Sequence, residues 1–165
     1  MNVGAASPED PGLYFSWGNS PGHEEGSGYD FSLEVYNETP GAAIEGNLTL
    51  AEDMARQSLG TPWRMPAAAD FQELYDNCTY EWTSLNNVHG YLFTSSVNGK
   101  TLFLPAAGRY DGTSLNGRGS SGRYWSSTYN SESSARNLTF DSSNIYPQEV
   151  NGRRNGFTVR AVAKL

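Results

Sequence analysis

The side chains with the most reactive chemistry are few in this 165-residue sequence, and they lie far apart. Cys78 is the single cysteine, and the two histidines are His23 and His89. A catalytic thiol requires a basic partner, and no spacing here predicts one, so Cys78 is expected to be a small buried hydrophobe. No strand–turn–helix pattern surrounds a serine nucleophile. The sequence therefore predicts no catalytic residue.

His23-Glu24-Glu25 places three possible metal ligands in succession. Protein metal sites combine ligands from separate clusters at characteristic spacings, and no second cluster follows. The expected structure is a solvated acidic loop, and we predict no metal ion and no cofactor. A single cysteine also forms no internal disulfide, so the fold must depend on packing.

Charge is distributed unevenly along the chain, whose formal net charge is −7. Residues 1–107 contain three Lys/Arg and fourteen Asp/Glu, whereas residues 108–165 contain eight and four. Nucleic-acid-binding domains are basic overall, so no nucleic-acid partner is predicted. No apolar run approaches the ~20 residues of a spanning helix, so no membrane insertion is predicted. Seven of the nine arginines follow residue 107, and Arg enrichment without Lys is typical of protein interfaces.

Two helices are predicted in the first half of the chain. Thr49 and Glu52 form a capping-box pattern for a helix that ends at Gly60. A second helix is predicted over 67–77, because apolar residues recur there at helical spacing. These core-facing positions are Phe71, Leu74 and Tyr75.

Short strands are predicted elsewhere, and residues 2–41 otherwise have the composition of loops. Asn98-Gly99, between two apolar runs, predicts a hairpin with a type I′ turn. The other predicted strands are 13–17, 123–128, 136–140 and 156–162. Helices followed by antiparallel strands define an α+β fold class, here expected as a single domain over 1–165. Its mostly buried residues should include Trp63, Phe71, Leu74, Phe103, Trp125, Phe140 and Phe157.

Residues 108–155 differ in composition from the rest of the chain. Ser, Asn, Gly, Arg and Tyr fill 32 of these 48 positions. Apolar residues such as Trp125 and Phe140 nevertheless recur, which indicates an ordered scaffold under a polar surface. Tyr, Ser, Gly and Asn are also the residues that antibody paratopes favour. We interpret 1–107 as a scaffold with both helices, and 108–165 as a variable binding region plus a closing strand.

Four segments carry a family resemblance: LGTPWRMPAAADFQEL (59–74), LFLPAAGRYDG (102–112), GRYWSSTY (122–129) and NGFTVRAV (155–162). Together with the opening NVGAASPEDPGLYFSWGN, they resemble the Fibrobacter-type major paralogous domain family of gut bacteria. That resemblance implies a C-type-lectin-like fold of the formylglycine-generating-enzyme type. Within the family, the chain is similar to the variable proteins of diversity-generating retroelements in gut phages and bacteria.

In such variable proteins, template adenines are miscopied, so that some codons diversify while the scaffold persists. The resemblance implies a non-enzymatic receptor-binding protein on a phage tail tip or bacterial surface, with a protein or glycan receptor on a cell. It also implies an extracellular, cell-surface or virion location, although no signal-peptide pattern follows Met1. The implied ligand-binding residues are Asp111, Asn116, Arg123, Tyr129, Ser131, Arg136, Thr139, Asp141, Tyr146, Val150 and Gly152.

Two other functions were weighed against this one. A fixed adhesive or structural module of a bacterial cell-surface or pilus assembly fits the sequence equally well. A formylglycine-generating enzyme does not, because those relatives use a cysteine pair and this chain has Cys78 alone. A calcium-mediated sugar site is not expected either, because Tyr146-Pro147-Gln148 replaces the Glu-Pro-Asn type of triplet. The sequence leaves the ligand and the oligomeric state open.

Overall fold

The computed structural model describes residues 1–35 and 46–163. The predicted loop over residues 36–41 lies outside these ranges. Within them the fold is α+β, with two short helices and a majority of strands, which confirms the predicted class. The helices are α1 (Met54–Leu59) and α2 (Ala68–Asn77).

The strands are mostly short and are grouped in four sheets. In chain order they are β1 (Tyr14–Phe15), β2 (Trp63–Arg64), β3 (Cys78–Leu85), β4 (Val88–Ser95), β5 (Thr101–Pro105), β6 (Arg109–Asp111), β7 (Ser114–Asn116), β8 (Ser121–Ser131), β9 (Ser134–Asp141), β10 (Ile145–Gly152), β11 (Phe157–Thr158) and β12 (Val162–Ala163). The largest sheet has the order β1-β11-β8-β9-β10 and is antiparallel except between β11 and β8, and β3-β4-β5 form an antiparallel sheet. The pairs β6-β7 and β2-β12 complete the set.

Helix α1 begins later than the sequence predicted. The Thr49–Glu52 contact exists, with the Thr49 hydroxyl donating to the Glu52 carboxylate at 2.8 Å, but it closes a turn that precedes the helix. The N-cap is Asp53, whose carboxylate accepts from the Arg56 amide at 2.9 Å. Asp53 is the preferred cap because it also accepts from the buried Met65 amide at 2.9 Å. Gly60, with φ 71°, ends the helix as predicted.

Helix α2 matches its prediction to within one residue. The Asp70 carboxylate accepts from the Ala67 amide at 2.7 Å at its start, and the same carboxylate forms an ion pair with Arg64 at 2.6 Å. Phe71 is buried, whereas Leu74 is half-buried. The helix therefore packs one apolar side against the strands that follow it.

The predicted hairpin at Asn98-Gly99 exists, but its turn type was wrong. Of these two residues only Gly99 has positive φ, and β4 and β5 are joined by a longer loop closed by the bond from the Gly99 amide to the Ser95 carbonyl at 2.9 Å. A two-residue turn with positive φ at both positions occurs instead at Asn86 (48°) and Asn87 (66°). It joins β3 to β4, and Asn tolerates this conformation better than most residues.

Three apolar clusters form the core. The first, around Trp17, Trp125 and Phe157, lies on one side of the large sheet. The second contains Tyr124, Leu138 and Phe140 and fills the space between the large sheet, α2 and the β3-β4-β5 sheet. The third surrounds Tyr14, Phe31 and Tyr110.

Five of the seven predicted core residues are buried, Leu74 is half-buried, and Trp63 is exposed. Phe71, Phe103, Trp125, Phe140 and Phe157 are at most 6% exposed, as predicted. Trp63 is 40% exposed, so its predicted burial was wrong. It lies on the two-residue strand β2, which pairs with β12 in a separate two-stranded sheet and not with the large sheet that forms the core.

Candidate binding surface

Strands β8, β9 and β10 present two chemically different faces. Along β9, alternate residues Leu138 and Phe140 enter the second core cluster. Asn137 and Thr139 point the other way, because successive strand residues alternate between faces. We call this second side the polar face and define it by Arg123, Asn137, Thr139, Tyr146, Glu149 and Asn151.

The polar face is built around a row of three predicted site residues. Arg123 pairs with Thr139 across β8 and β9, and Thr139 pairs with Tyr146 across β9 and β10. Paired residues project to the same side of a sheet, about 5 Å apart. Tyr146 is 47% exposed, whereas Arg123 and Thr139 are half-buried. The structure therefore brings these three together as predicted.

A chain of hydrogen bonds links this row to side chains beside it. The Arg123 guanidinium donates to Asn151 Oδ1 at 3.3 Å, and Asn151 Nδ2 donates to Asn137 Oδ1 at 3.0 Å. Asn137 Nδ2 then donates to Thr139 Oγ1 at 2.7 Å. Asn137 is fully buried, and both of its amide atoms have a partner. It therefore serves as the fixed base on which the more exposed residues rest.

Arg123 is the charged centre of the polar face. Its guanidinium carbon lies 5.9 Å from the centre of the buried Phe157 ring. Its Nε is buried without a hydrogen-bond partner. Burial lowers the pKa of Arg123, and the nearby positive charge of Arg109 adds to this effect, while Glu149 opposes it. Because this Nε is buried, an acceptor supplied by a ligand would reach Arg123 through its terminal Nη donors.

The hairpin of β6 and β7 extends the polar face beyond β8. A bridge between Gly108 and Gly122 places the start of β6 beside β8. Asp111 and Asn116 are both exposed on this hairpin. Asn116 pairs with Arg109, and Asp111 is two residues from Arg109 along the strand, so all three project to one side, opposite to the buried Tyr110. The structure thus groups Asp111 and Asn116 with Arg123.

Asp141 lies at the edge of the polar face, but its carboxylate has a structural role. Its Oδ1 accepts from the Ser143 amide at 2.8 Å and the Asn144 amide at 2.9 Å. These bonds shape the turn from β9 to β10, as aspartate commonly does. Asp141 is exposed, yet a substitution there would disturb the turn.

Arg136 and Val150 lie on the opposite face, contrary to the expectation of one continuous surface. They pair with each other across β9 and β10. Arg136 is two residues from Leu138 and four from Phe140, so its side chain lies on the same side of β9 as theirs. The Arg136 guanidinium donates to the Gln148 carbonyl at 3.2 Å. Val150 is 38% exposed. Both lie on the side of β9 and β10 that faces the second core cluster, but neither residue belongs to that cluster.

Three more predicted residues lie at the far end of the β8–β9 hairpin. Tyr129 packs against the first core cluster, with its ring centre 6.3 Å from that of Trp17. Ser131 Oγ is 2.6 Å from Ser134 Oγ, and Gly152 pairs with Ser134. These residues therefore support the hairpin end and do not join the row through Arg123.

Sequence reasoning missed four residues of this surface: Arg109, Asn137, Glu149 and Asn151. The β10 strand was not predicted, so the side of the sheet on which Glu149 and Asn151 lie could not be inferred. Asn137 lay within the predicted strand 136–140 but was not proposed as a binding residue. Alternation with Leu138 and Phe140 places Asn137 on the side of Thr139, and that signal was available in the sequence. Arg109 required the bridge to β8, which no local pattern reveals.

The residues first considered for catalysis have ordinary surroundings. Cys78 is half-buried and not fully buried as expected, and burial raises the pKa of its thiol. His23 stacks on Tyr29, with ring centres 3.4 Å apart, and burial lowers the pKa of its imidazole. His89 stacks on Trp82 at 6.0 Å.

Within residues 1–35 and 46–163, no three His, Cys, Asp or Glu side chains are grouped so as to hold a metal ion. Over the same ranges, no helix has both the length and the apolarity needed to cross a membrane.

Comparison with known proteins gives one family match. The model of a domain of unknown function, DUF8237, matches residues 81–162. This range runs from within β3 to the first residue of β12 and contains the entire polar face. No curated protein and no solved structure matches the chain significantly.

Proposed function

We propose that this chain is a non-enzymatic binding module with a C-type-lectin-like fold, which displays a diversified surface to a receptor on a cell. The polar face is the binding surface, and it operates outside the cell, on a bacterial surface or a phage tail tip. The observation that carries the proposal is the row of Arg123, Thr139 and Tyr146, which lies across three paired strands.

The residue types along this face support recognition of a macromolecule. Tyr and Arg are the side chains most often found at energetic hot spots of protein interfaces. Asn and Ser provide adaptable hydrogen bonds, and Tyr gives a large contact area at low entropic cost. Five exposed or half-buried positions form the variable set that we propose: Asp111, Asn116, Arg123, Thr139 and Tyr146.

The separation between the two faces explains how such a surface can vary without loss of the fold. Residues on the core face pack at a density where a single added methylene matters. The five variable positions project away from that core, and surface substitutions typically change stability by under about 0.5 kcal/mol each. The polar face can therefore accept many residue types while the scaffold persists.

The proposal can be tested with two libraries displayed on yeast. The first randomises the five variable positions, and the matched control randomises five exposed residues elsewhere: Thr79, Glu81, Ser84, Ser96 and Val97. Both libraries should express folded protein. Only the first should yield specific binders when selected against several unrelated protein targets. Loss of folding in the first library, or equal yields from both, would contradict the proposal.

A genomic observation separates diversified display from a fixed adhesive module. Diversification requires a near-identical repeat of the coding segment for residues ~108–160 beside a reverse-transcriptase gene. The two copies should differ only where the template has adenine. A coding region with no such repeat favours the adhesive module with a fixed partner.

A further inference from the structure

The chain contains the triplet Gly-Arg-Tyr twice, at 108–110 and 122–124. The structure places the two copies side by side and parallel, through a bridge between Gly108 and Gly122. The Gly108 amide donates to the Ser121 carbonyl at 2.7 Å. Arg109 and Arg123 directly follow the bridged glycines and are therefore neighbours on the polar face.

Both glycines are required by their immediate surroundings. A Cβ on Gly122 would lie 2.2 Å from the Phe140 ring. Gly108 has φ +69°, and a Cβ there would lie 2.5 Å from the Asn116 carbonyl oxygen. Both distances are well inside van der Waals contact, so no larger residue fits without rearrangement.

The tyrosines fix the direction of the arginines from the other side. Tyr124 is fully buried, and its hydroxyl donates to the Pro105 carbonyl at 2.7 Å. Tyr110 is 7% exposed, and its hydroxyl accepts from the Gly26 amide at 2.9 Å. Because strand residues alternate, a buried tyrosine directs the preceding arginine to the opposite side. The repeated triplet therefore directs Arg109 and Arg123 away from the buried tyrosines, and the charge of Arg109 reaches Arg123.

Neither arginine has a carboxylate partner among the described residues, where the ion pairs are Arg64–Asp70 and Arg118–Glu25. Within the same residues, Arg109 makes no hydrogen bond through its guanidinium, and Arg123 makes only the bond to Asn151. Glu149 is the acidic group whose charge reaches Arg123, and Arg109 opposes it with a larger effect. The carboxylate of Asp141 is held in its turn. Two neighbouring positive charges thus have no carboxylate partner among the described residues.

We propose that Arg109 and Arg123 together bind a carboxylate of a protein ligand, supplied by an Asp or Glu side chain on the receptor. Guanidinium forks match the geometry of carboxylates and bind them through paired hydrogen bonds. A protein ligand is favoured over a glycan because Arg and the exposed Tyr146 are hot-spot residues of protein interfaces. This inference rests on the proposed function and specifies the chemistry of its ligand.

The test uses fluorescein-labelled hexaglutamate, with hexaglutamine as the uncharged control and hexagalacturonate as the acidic glycan. Binding is measured by fluorescence anisotropy at low salt and at physiological salt. The chain carries a formal net charge of −7, so non-specific attraction of an acidic peptide is disfavoured. The variants are Arg109→Gln, Arg123→Gln and Arg123→Lys, with Arg154→Gln, an exposed arginine between β10 and β11, as the matched control.

We expect hexaglutamate to bind more tightly than hexaglutamine and hexagalacturonate. Arg109→Gln and Arg123→Gln should each weaken this binding about tenfold or more, whereas Arg154→Gln should leave it unchanged. Arg123→Lys should also weaken it, because lysine keeps the charge but loses the fork. In a nitrogen–proton NMR spectrum, the Arg123 Nε signal should shift on titration with hexaglutamate.

Three outcomes would overturn the inference. Absence of hexaglutamate binding excludes the anion site, and equal weakening by Arg154→Gln shows that only net charge matters. Tighter binding of hexagalacturonate assigns the site to an acidic glycan. The display libraries do not depend on the two native arginines, so they can succeed while this inference fails, and the two proposals are distinguishable.

Discussion

The core face and the polar face of β8, β9 and β10 are made by alternate residues of the same strands. On the core face, Tyr124, Leu138 and Phe140 are at most 1% exposed. On the polar face, their immediate neighbours Arg123 and Thr139 are half-buried and carry hydrogen-bonding groups. The polar face is the uncovered part of its side of the sheet, because Trp125 and Ala135 on the same side are buried in the first core cluster. Positions one residue apart are under opposite physical constraints.

The largest expected effect is on the core face. Phe140 is fully buried and contacts the rings of Tyr124 and Tyr91, with ring centres 5.9 and 5.3 Å away. Phe140→Ala should lower the free energy of unfolding by about 3–5 kcal/mol, as measured by urea denaturation. Tyr146→Ala removes an aromatic ring from the polar face and should cost only about 0.5 kcal/mol. Similar costs for the two variants would show that the faces do not differ.

A second prediction concerns the contact between Gly122 and Phe140 on the core face. Gly122→Ala inserts a methyl group against the Phe140 ring and should destabilise the fold by about 1–3 kcal/mol through overpacking. Gly152→Ala is the matched control, because its added Cβ would have no neighbour closer than 3.7 Å. Thermal and chemical denaturation of both variants check this. Equal stability would mean that the β8 backbone can move away from Phe140.

Asn137 gives a third prediction, because it is a buried scaffold residue on the polar face. Asn137→Ala removes the amide that bonds Asn151 and Thr139, and should cost about 1–3 kcal/mol by leaving these groups unsatisfied. Asn130→Ala, at an exposed position of the same sheet, should change stability by under about 0.5 kcal/mol. If Asn137→Ala is equally neutral, the whole polar face is free to vary and not only its outer residues.

The smallest effect is expected for simultaneous exchange of exposed polar-face residues. A triple variant with Asp111→Ser, Asn116→Ser and Tyr146→Ser should unfold within a few degrees of the original, at under about 0.5 kcal/mol per site. Differential scanning calorimetry measures the midpoint. A loss comparable with that of Phe140→Ala would identify these residues as scaffold and remove the basis of the proposed diversified surface.

Much of the fold was predictable wherever a local pattern was sufficient. Helix α2 was predicted to within one residue because its apolar spacing and its bounding residues agree. Trp125, Phe140 and Phe157 were correctly assigned to the core because large aromatic side chains are strongly stabilised by burial. The start of α1 was misplaced because the Thr49–Glu52 pair closes a turn before the helix, whereas the cap is Asp53, which also binds the Met65 amide.

The candidate site was less predictable, because the register of the paired strands decides which residues belong to it. Arg123, Thr139 and Tyr146 were correctly grouped, but Arg136 and Val150 were placed on the wrong side. A shift of one residue transfers a side chain to the opposite face. The bulges in β8 and β10 break the simple count along these strands. Composition alone therefore identified the region without dividing it into two faces.

The sequence by itself determined the α+β class, the second helix, a part of the aromatic core and the polar character of residues 108–155. These features follow from composition and short-range spacing, which act within a few residues. Only the tertiary structure decided that the two Gly-Arg-Tyr triplets lie side by side and that Arg109 joins Arg123. The reason is that strand pairing between distant segments is set by the packing of whole elements, which no local pattern encodes.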